Sequence, residues 1–180
     1  MSQRYVILDR DGVINVDSDD YIKSPEEWLP LDGSLQAIAE LYQHGYKIVV
    51  ITNQSGVARG LFTLASLHAM HDKMQKLVTD AGGKIEAIYF CPHDPSAQCD
   101  CRKPGTGLYT RFAAEHQVDL DTIYAIGDSY RDLEAARSCK AKAILVKTGK
   151  GLKTLASHPE LNEPVFENLY EASQYIIAQG

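Results

Sequence analysis

Short runs of apolar residues recur along the chain, and longer stretches with helical spacing separate them. Five of these runs are almost continuously apolar: Tyr5–Leu8, Lys47–Ile51, Ala87–Phe90, Ile123–Ile126 and Ala143–Val146. Continuous hydrophobicity over four or five residues is typical of strands that are covered on both faces, whereas half-exposed strands alternate between apolar and polar residues. The pattern therefore predicts five short buried strands.

The segments between these strands have the spacing of amphipathic helices. Apolar residues recur every three or four positions in Ser34–His44, Thr63–Ala81, Tyr109–His116, Tyr130–Arg137 and Asn168–Ala178. Gly45 is suited to end the first helix, and Thr63 is suited to cap the second. Strands that alternate with helices predict right-handed crossovers, and so an α/β fold with a doubly wound, Rossmann-like parallel sheet.

Length and charge narrow the class of protein. The chain has 180 residues, which suits a single domain over residues 1–180. Its net charge of −6 opposes non-specific binding to nucleic acid. No apolar run has the length of a membrane span, and we expect no signal peptide because the N-terminal residues lead directly into the first predicted strand. We therefore expect a soluble cytoplasmic protein that acts as a monomer, with no nucleic-acid or membrane partner.

Polar side chains gather where the predicted strands end. The first strand runs into Asp9-Arg10-Asp11-Gly12, and the second ends in Thr52-Asn53-Gln54-Ser55-Gly56. Arg102-Lys103-Pro104 follows the third strand, and the fourth ends in Gly127-Asp128-Ser129. Ligands of open α/β sheets bind outside the carboxyl ends of the strands. We therefore expect four segments to deliver carboxylates, a hydroxyl and a lysine to one rim.

These residue types in this order suit phosphoryl transfer. Of the two aspartates after the first strand, one could attack an electrophile while the other handles the proton. Asp128 adds a third carboxylate, and a group of carboxylates is suited to Mg²⁺, which also shares phosphate oxygens. Thr52 and Lys103 are donors that could surround a phosphoryl group. A single aspartate here would be better explained as a turn or helix-cap residue, but the four segments together favour a phosphoryl-transfer site.

The four segments resemble the motifs of the haloacid dehalogenase-like phosphatases across the first ~150 residues. The resemblance implies that Asp9 is a nucleophile that forms an aspartyl-phosphate. Asp11 would protonate the leaving oxygen and then activate water. Mg²⁺ would be bound by Asp9, the carbonyl of Asp11 and Asp128, with Asp132 either an additional contact or a supporting residue. The residues expected to bind phosphate or substrate are Thr52, Asn53, Gln54, Ser55, Arg59, Arg102, Lys103 and Ser129.

A second cluster predicts a structural metal site. Cys91, His93, Cys99 and Cys101 supply three thiolates and one imidazole within a loop spanning residues 91–101. This is the complete tetrahedral set of a closed structural Zn²⁺ site. The alternative is a group of free thiols with a loop histidine. Cys139 is expected to be a free thiol. Within the family, such a loop resembles the subgroup of heptose bisphosphate phosphatases and histidinol-phosphatase domains.

The substrate expectation rests on the segment from Asn53 to Gly60, which includes Arg59 and resembles the heptose bisphosphate phosphatase form. The resemblance implies hydrolysis of the 7-phosphate of a heptose 1,7-bisphosphate, a phosphorylated sugar that feeds lipopolysaccharide or other glycans. Arg59 and Arg102 supply forked cations for a second anionic group. The alternatives are a histidinol-phosphate phosphatase and a non-catalytic zinc-stabilised binding module. Residues 17–21 are either a solvated loop or a substrate contact. Only about 40 residues separate Asp11 from Thr52, and a helix and a strand use most of them, so we expect no large cap domain there.

Overall fold

A single six-stranded sheet forms the centre of the computed structural model, which describes residues 2–180. The strands are β1 (Arg4–Leu8), β2 (Tyr46–Asn53), β3 (Ile85–Cys91), β4 (Tyr124–Gly127), β5 (Lys142–Val146) and β6 (Val165–Phe166). All neighbours pair in parallel in the order β3-β2-β1-β4-β5-β6. Because the strand order reverses at β1, the carboxyl ends of β1, β2 and β4 meet at the crevice where such folds bind ligands.

Helices cover both faces of this sheet. They are α1 (Ser34–Gln43), α2 (Leu64–Asp80), α3 (Gly107–His116), α4 (Tyr130–Ser138), α5 (Gly151–Ser157) and α6 (Leu169–Gln179), with 3₁₀ turns at Pro95–Ala97 and Leu120–Thr122. Alternate residues of β1 face opposite cores. Val6 and Leu8 pack with α1, α2 and α6, whereas Tyr5 and Ile7 pack with α3 and α4.

The sequence predictions of the α/β class, the parallel sheet and the five main strands are confirmed. The prediction missed two elements beyond β5. Helix α5 begins at Gly151, just after Gly149 and Lys150, and its seven residues give little periodicity. Strand β6 has only two residues, too few to show a period. Loops, turns and isolated bridges connect β1 to α1, so no large cap domain is inserted there. Across residues 2–180, none of the helices has the length and apolar character needed to cross a membrane.

Candidate active site

The carboxyl ends of β1, β2 and β4 and the loop after β3 enclose a polar cavity of about 280 Å³. The structure places around it every residue that the sequence assigned to catalysis, to substrate binding or to Mg²⁺: Asp9, Asp11, Thr52, Asn53, Gln54, Ser55, Arg59, Arg102, Lys103, Asp128 and Ser129. Residues separated by more than a hundred positions therefore share one site because the parallel topology brings the strand ends together.

Lys103 lies at the floor of this cavity and is almost fully buried. Its Nζ is 3.1 Å from Oδ1 of Asp9, 2.7 Å from Oδ1 of Asp132 and 2.8 Å from the carbonyl oxygen of Ile51. Burial alone would lower the pKa of Lys103, but the attraction of Asp132 and Asp9 outweighs it and the pKa is raised. The lysine therefore remains a cation beside Asp9.

Asp9 lies in a crowded field of negative charge. Its burial, followed by repulsion from Asp132, raises its pKa to about 7, although Lys103 opposes the shift. Burial and repulsion from Asp9 also raise the pKa of Asp128 well above its ordinary value. Two carboxyl groups that both resist ionisation need a further cation close by before both can be charged at neutral pH.

The donor set of this group fits Mg²⁺. One carboxylate oxygen each from Asp9, Asp128 and Asp132 lies within 4.8 Å of the others. Hard oxygen ligands of this kind, at an open cavity that admits water and phosphate oxygens, are what Mg²⁺ prefers. Both oxygens of Asp132 already have partners, however, so Asp9 and Asp128 are the better-placed ligands.

Asp132 connects this group to helix α4. Its Oδ2 accepts hydrogen bonds from the backbone N–H of Asp128 at 3.2 Å and from the N–H and hydroxyl of Ser129 at 3.1 and 2.9 Å. Ser129 and Asp132 together form a capping box at the start of α4. Attraction to Lys103 and these hydrogen bonds outweigh burial and lower the pKa of Asp132. Ser129 therefore serves the helix cap here as well as lining the cavity.

A tight turn after β1 sets the position of Asp128. Gly12 has a φ of 85°, in the left-handed region that favours glycine. A Cβ atom at this residue would lie 2.1 Å from Oδ2 of Asp128. The same carboxylate oxygen accepts the N–H of Lys150 at 2.8 Å. Glycine at position 12 thus allows the Asp128 carboxylate to sit against the backbone of the first motif.

Asn53 joins the end of β2 to the loop that carries Lys103. Its Oδ1 accepts the backbone N–H of Lys103 at 2.9 Å, and its Nδ2 donates to the carbonyl of the same residue at 3.1 Å. Beside it, the buried Thr52 hydroxyl accepts a hydrogen bond from Gln54 at 2.9 Å. The Asn53 side chain thus positions Lys103 through its backbone, which is a different role from direct phosphate binding.

The predicted zinc ligands also meet. Sγ of Cys91 lies 3.6 Å from Sγ of Cys99 and 3.0 Å from Sγ of Cys101, and Nδ1 of His93 is 3.3 Å from Sγ of Cys101. Zinc–sulfur bonds of about 2.3 Å in a tetrahedron put sulfurs about 3.8 Å apart. All four ligand atoms lie within 4.8 Å of one another, and none of the four cysteines is in a disulfide. The cluster has the donor set and the size of a Zn²⁺ site.

The mouth of the cavity carries residues that the sequence analysis did not assign. Arg131 lies on the first turn of α4, two residues after Ser129, and that proximity to a motif could have identified it. Lys150 also lines the cavity and forms an ion pair with Asp17 at 2.7 Å, and its short glycine-flanked segment gives no motif that would have identified it. Residues 17–19 and Tyr21 also line this wall.

A parallel sheet that presents an aspartate pair, a threonine, a buried lysine and further aspartates at its carboxyl edge defines a haloacid dehalogenase-like hydrolase. The family model described as HAD-hydrolase-like matches residues 100–172. A D-glycero-beta-D-manno-heptose-1,7-bisphosphate 7-phosphatase of Pseudomonas aeruginosa is 49% identical over 94% of this chain and 95% of its own length. The enzyme of that name from Bordetella bronchiseptica is 53% identical over 85% of this chain and 86% of its own.

A solved structure agrees. The crystal structure of D,D-heptose 1,7-bisphosphate phosphatase from B. bronchiseptica, complexed with magnesium and phosphate, superposes with a TM-score of 0.96 at 47% identity, covering 98% of this chain and 99% of that one. The chain belongs to the D-glycero-beta-D-manno-heptose-1,7-bisphosphate 7-phosphatase family. The family membership that the four motifs implied is thereby confirmed.

Proposed function

We propose that this chain hydrolyses the 7-phosphate of D-glycero-β-D-manno-heptose 1,7-bisphosphate, with Asp9 as nucleophile and Asp11 as acid and base. The observation that carries the proposal is the arrangement of the cavity. The buried pair of Lys103 and Asp9 lies at its floor, and three arginines line its mouth: Arg59, Arg102 and Arg131. Such a site suits a substrate with two phosphates, one that is cleaved and a second that is bound without being cleaved. The names of the relatives support the same substrate and the β anomer.

In the first step, a carboxylate oxygen of Asp9 attacks phosphorus while the bond to the sugar oxygen breaks. Asp11 gives its proton to that departing oxygen, and the heptose leaves as an alcohol. In the second step, Asp11 takes a proton from water, which attacks phosphorus and breaks its bond to Asp9. Lys103 and Thr52 hold the phosphoryl oxygens throughout.

Two metals complete the proposal. Mg²⁺, held by Asp9, Asp128 and the carbonyl of Asp11, would neutralise phosphoryl charge when bound. The magnesium in the related crystal structure supports this assignment. Zn²⁺, held by the cysteine and histidine cluster, would order the loop that leads directly into Arg102 and Lys103. Its role is structural because protein ligands fill all four positions.

The three arginines provide the second phosphate site. Burial and repulsion from Arg131 and Arg59 lower the pKa of Arg102, so positive charge is concentrated at this edge of the cavity. A phosphate on the anomeric carbon would relieve that repulsion. Arginine suits the role because its fork binds two phosphate oxygens at once.

We further propose that residues 1–180 act as one domain and as a cytoplasmic monomer with no nucleic-acid partner. The continuous sheet supports one domain, and four thiols without a disulfide suit a reducing compartment. The net charge of −6 is unfavourable for contact with nucleic-acid phosphates.

The test is a comparison of substrates with the wild type and the variant Arg59→Ala. Phosphate release should be fastest from the heptose bisphosphate, and Arg59→Ala should lower kcat/KM for it by about 10- to 150-fold through loss of a charge-assisted contact. A small monophosphate ester should be much less affected. Arg111→Ala, which removes an exposed arginine on α3, is the matched control. Faster hydrolysis of histidinol phosphate would contradict the substrate assignment, and equal losses on both substrates would contradict the role of Arg59.

A further inference from the structure

Arg10 is a fully buried cation beside the proposed acid and base. It stands between the two aspartates of the first motif, and its side chain is 0% exposed. Nε donates a hydrogen bond to Oδ1 of Asp11 at 2.9 Å, and Nη2 forms an ion pair with the same oxygen at 2.9 Å. A buried guanidinium is costly unless its neighbours are well placed, so this arrangement is tightly specified.

His71 holds the other end of this guanidinium. It lies on α2, is buried against Phe90, and its Nε2 is 3.2 Å from Nη1 of Arg10. Because a guanidinium has donors only, Nε2 must accept this hydrogen bond. Burial, followed by repulsion from Arg10, lowers the pKa of His71 to about 3, so the ring is neutral and able to accept. Helix α2 thereby reaches the catalytic turn through two side chains.

The contacts make the two oxygens of Asp11 unequal. Oδ1 accepts hydrogen bonds from Arg10 and from Nδ2 of Asn15, each at 2.9 Å, in addition to the ion pair with Nη2. Oδ2 has a single longer contact, from Nε2 of Gln54 at 3.3 Å. An oxygen already surrounded by donors is poorly placed to carry a proton of its own.

We propose that Arg10, held in place by His71, is a positioning residue that fixes Oδ1 of Asp11 and leaves Oδ2 to exchange the proton. The proposal rests on the proposed role of Asp11 as acid and base. The proton on Oδ2 passes to the sugar oxygen as its bond to phosphorus breaks and the bond from Asp9 forms. Water then returns a proton to the same Oδ2 as it attacks phosphorus and releases Asp9.

The experiment compares leaving groups. A primary alkyl ester needs a proton as it leaves, whereas 4-nitrophenolate does not, and kcat/KM reports only the steps through departure of the leaving group. The enzymes to compare are wild type, His71→Leu, His71→Gln and Arg10→Lys, with a hexose 6-phosphate and 4-nitrophenyl phosphate as substrates. His71→Leu removes the acceptor, whereas His71→Gln keeps one. His68→Leu is the control because His68 lies one turn earlier on α2 and packs on the same Phe90 ring.

We expect His71→Leu and Arg10→Lys to lower kcat/KM for the alkyl ester by about 10- to 100-fold and to change it for 4-nitrophenyl phosphate by less than about 3-fold. His71→Gln should recover most of the loss, and His68→Leu should match the wild type. Equal losses on both esters, or no loss on either, would overturn the proposal.

The variant Asp11→Asn distinguishes a failure of the positioning role of Arg10 from a failure of the proposed acid role of Asp11. If Asp11→Asn loses more activity on the alkyl ester and the Arg10 and His71 variants do not, then the acid role stands and the positioning role is wrong. If Asp11→Asn itself loses the same activity on both esters, the role of Asp11 in the proposed mechanism is wrong and the positioning role falls with it. A hexose 6-phosphate makes both results independent of the heptose assignment.

Discussion

Replacing Asp132 with asparagine removes one negative charge and little volume, and we expect it to destabilise the protein strongly. The side chain is almost fully buried, and both of its oxygens are occupied. Oδ1 accepts from Lys103 at 2.7 Å, and Oδ2 accepts from the backbone of Asp128 and from Ser129. An amide has one oxygen and so can satisfy one of these two sides.

The cost can be worked out for each orientation of the amide. If its oxygen faces Ser129, its NH₂ group points at the ammonium of Lys103, which keeps only Asp9 and the Ile51 carbonyl as partners. If its oxygen faces Lys103, the NH₂ group faces three donors, which are the N–H of Asp128 and the N–H and hydroxyl of Ser129. Leaving a charge without its buried partner typically costs about 3–5 kcal/mol. For a chain of this length, that corresponds to a fall in Tm of about 6–20 °C.

Urea unfolding at pH 7 measures this difference, with Glu134→Gln as a control that also removes a carboxylate from α4. The pKa of Asp132 is lowered in the folded protein, so its contribution is present above the ordinary value of 3.8 and is lost as the pH falls below it. The difference between wild type and variant should therefore shrink in acid. A loss below about 1 kcal/mol at pH 7, or a loss equal to that of Glu134→Gln, would refute the reasoning.

Three further outcomes follow from the site. Asp9→Asn should lower phosphate release by several orders of magnitude with an unchanged circular dichroism spectrum, and near wild-type turnover would contradict the aspartyl-phosphate route. Cys101→Ala should lower zinc content, Tm and activity together, measured by metal analysis and thermal unfolding; one zinc per chain after this change would contradict the ligand assignment. Because the pKa of Asp9 is raised to about 7, the metal-free protein should lose stability as the pH rises through that value. Added Mg²⁺ should therefore raise Tm more at pH 8 than at pH 6, and the opposite trend would argue against Asp9 as a ligand.

Much of the fold could be predicted from the sequence because the buried strands are continuous apolar runs and the polar motifs follow them directly. The second half of the chain was harder: α5 has seven residues and starts at a glycine-rich turn, and β6 is too short for a periodic pattern. At the site, the position of the polar segments after the predicted strands showed which residues come together, but it did not show which side chains contact each other. The contact of His71 with Arg10 joins positions 61 residues apart, and the spacing of Thr63–Ala81 predicts an amphipathic helix without showing which side chain His71 contacts. Such contacts depend on the packing of α2 against the catalytic turn, which sequence periodicity does not encode.

The double hydrogen bond between Asn53 and the backbone of Lys103 has a consequence for redesign of the enzyme. It holds the lysine by main-chain atoms, so the position of Lys103 depends little on the side chains of residues 94–98, which lie between the zinc ligands. Residues 94–98 lie between the zinc ligands His93 and Cys99, and most of them are exposed. That segment should therefore tolerate insertions. Insertions of different length and charge there could extend the mouth of the cavity toward larger sugar phosphates while Lys103 keeps its position.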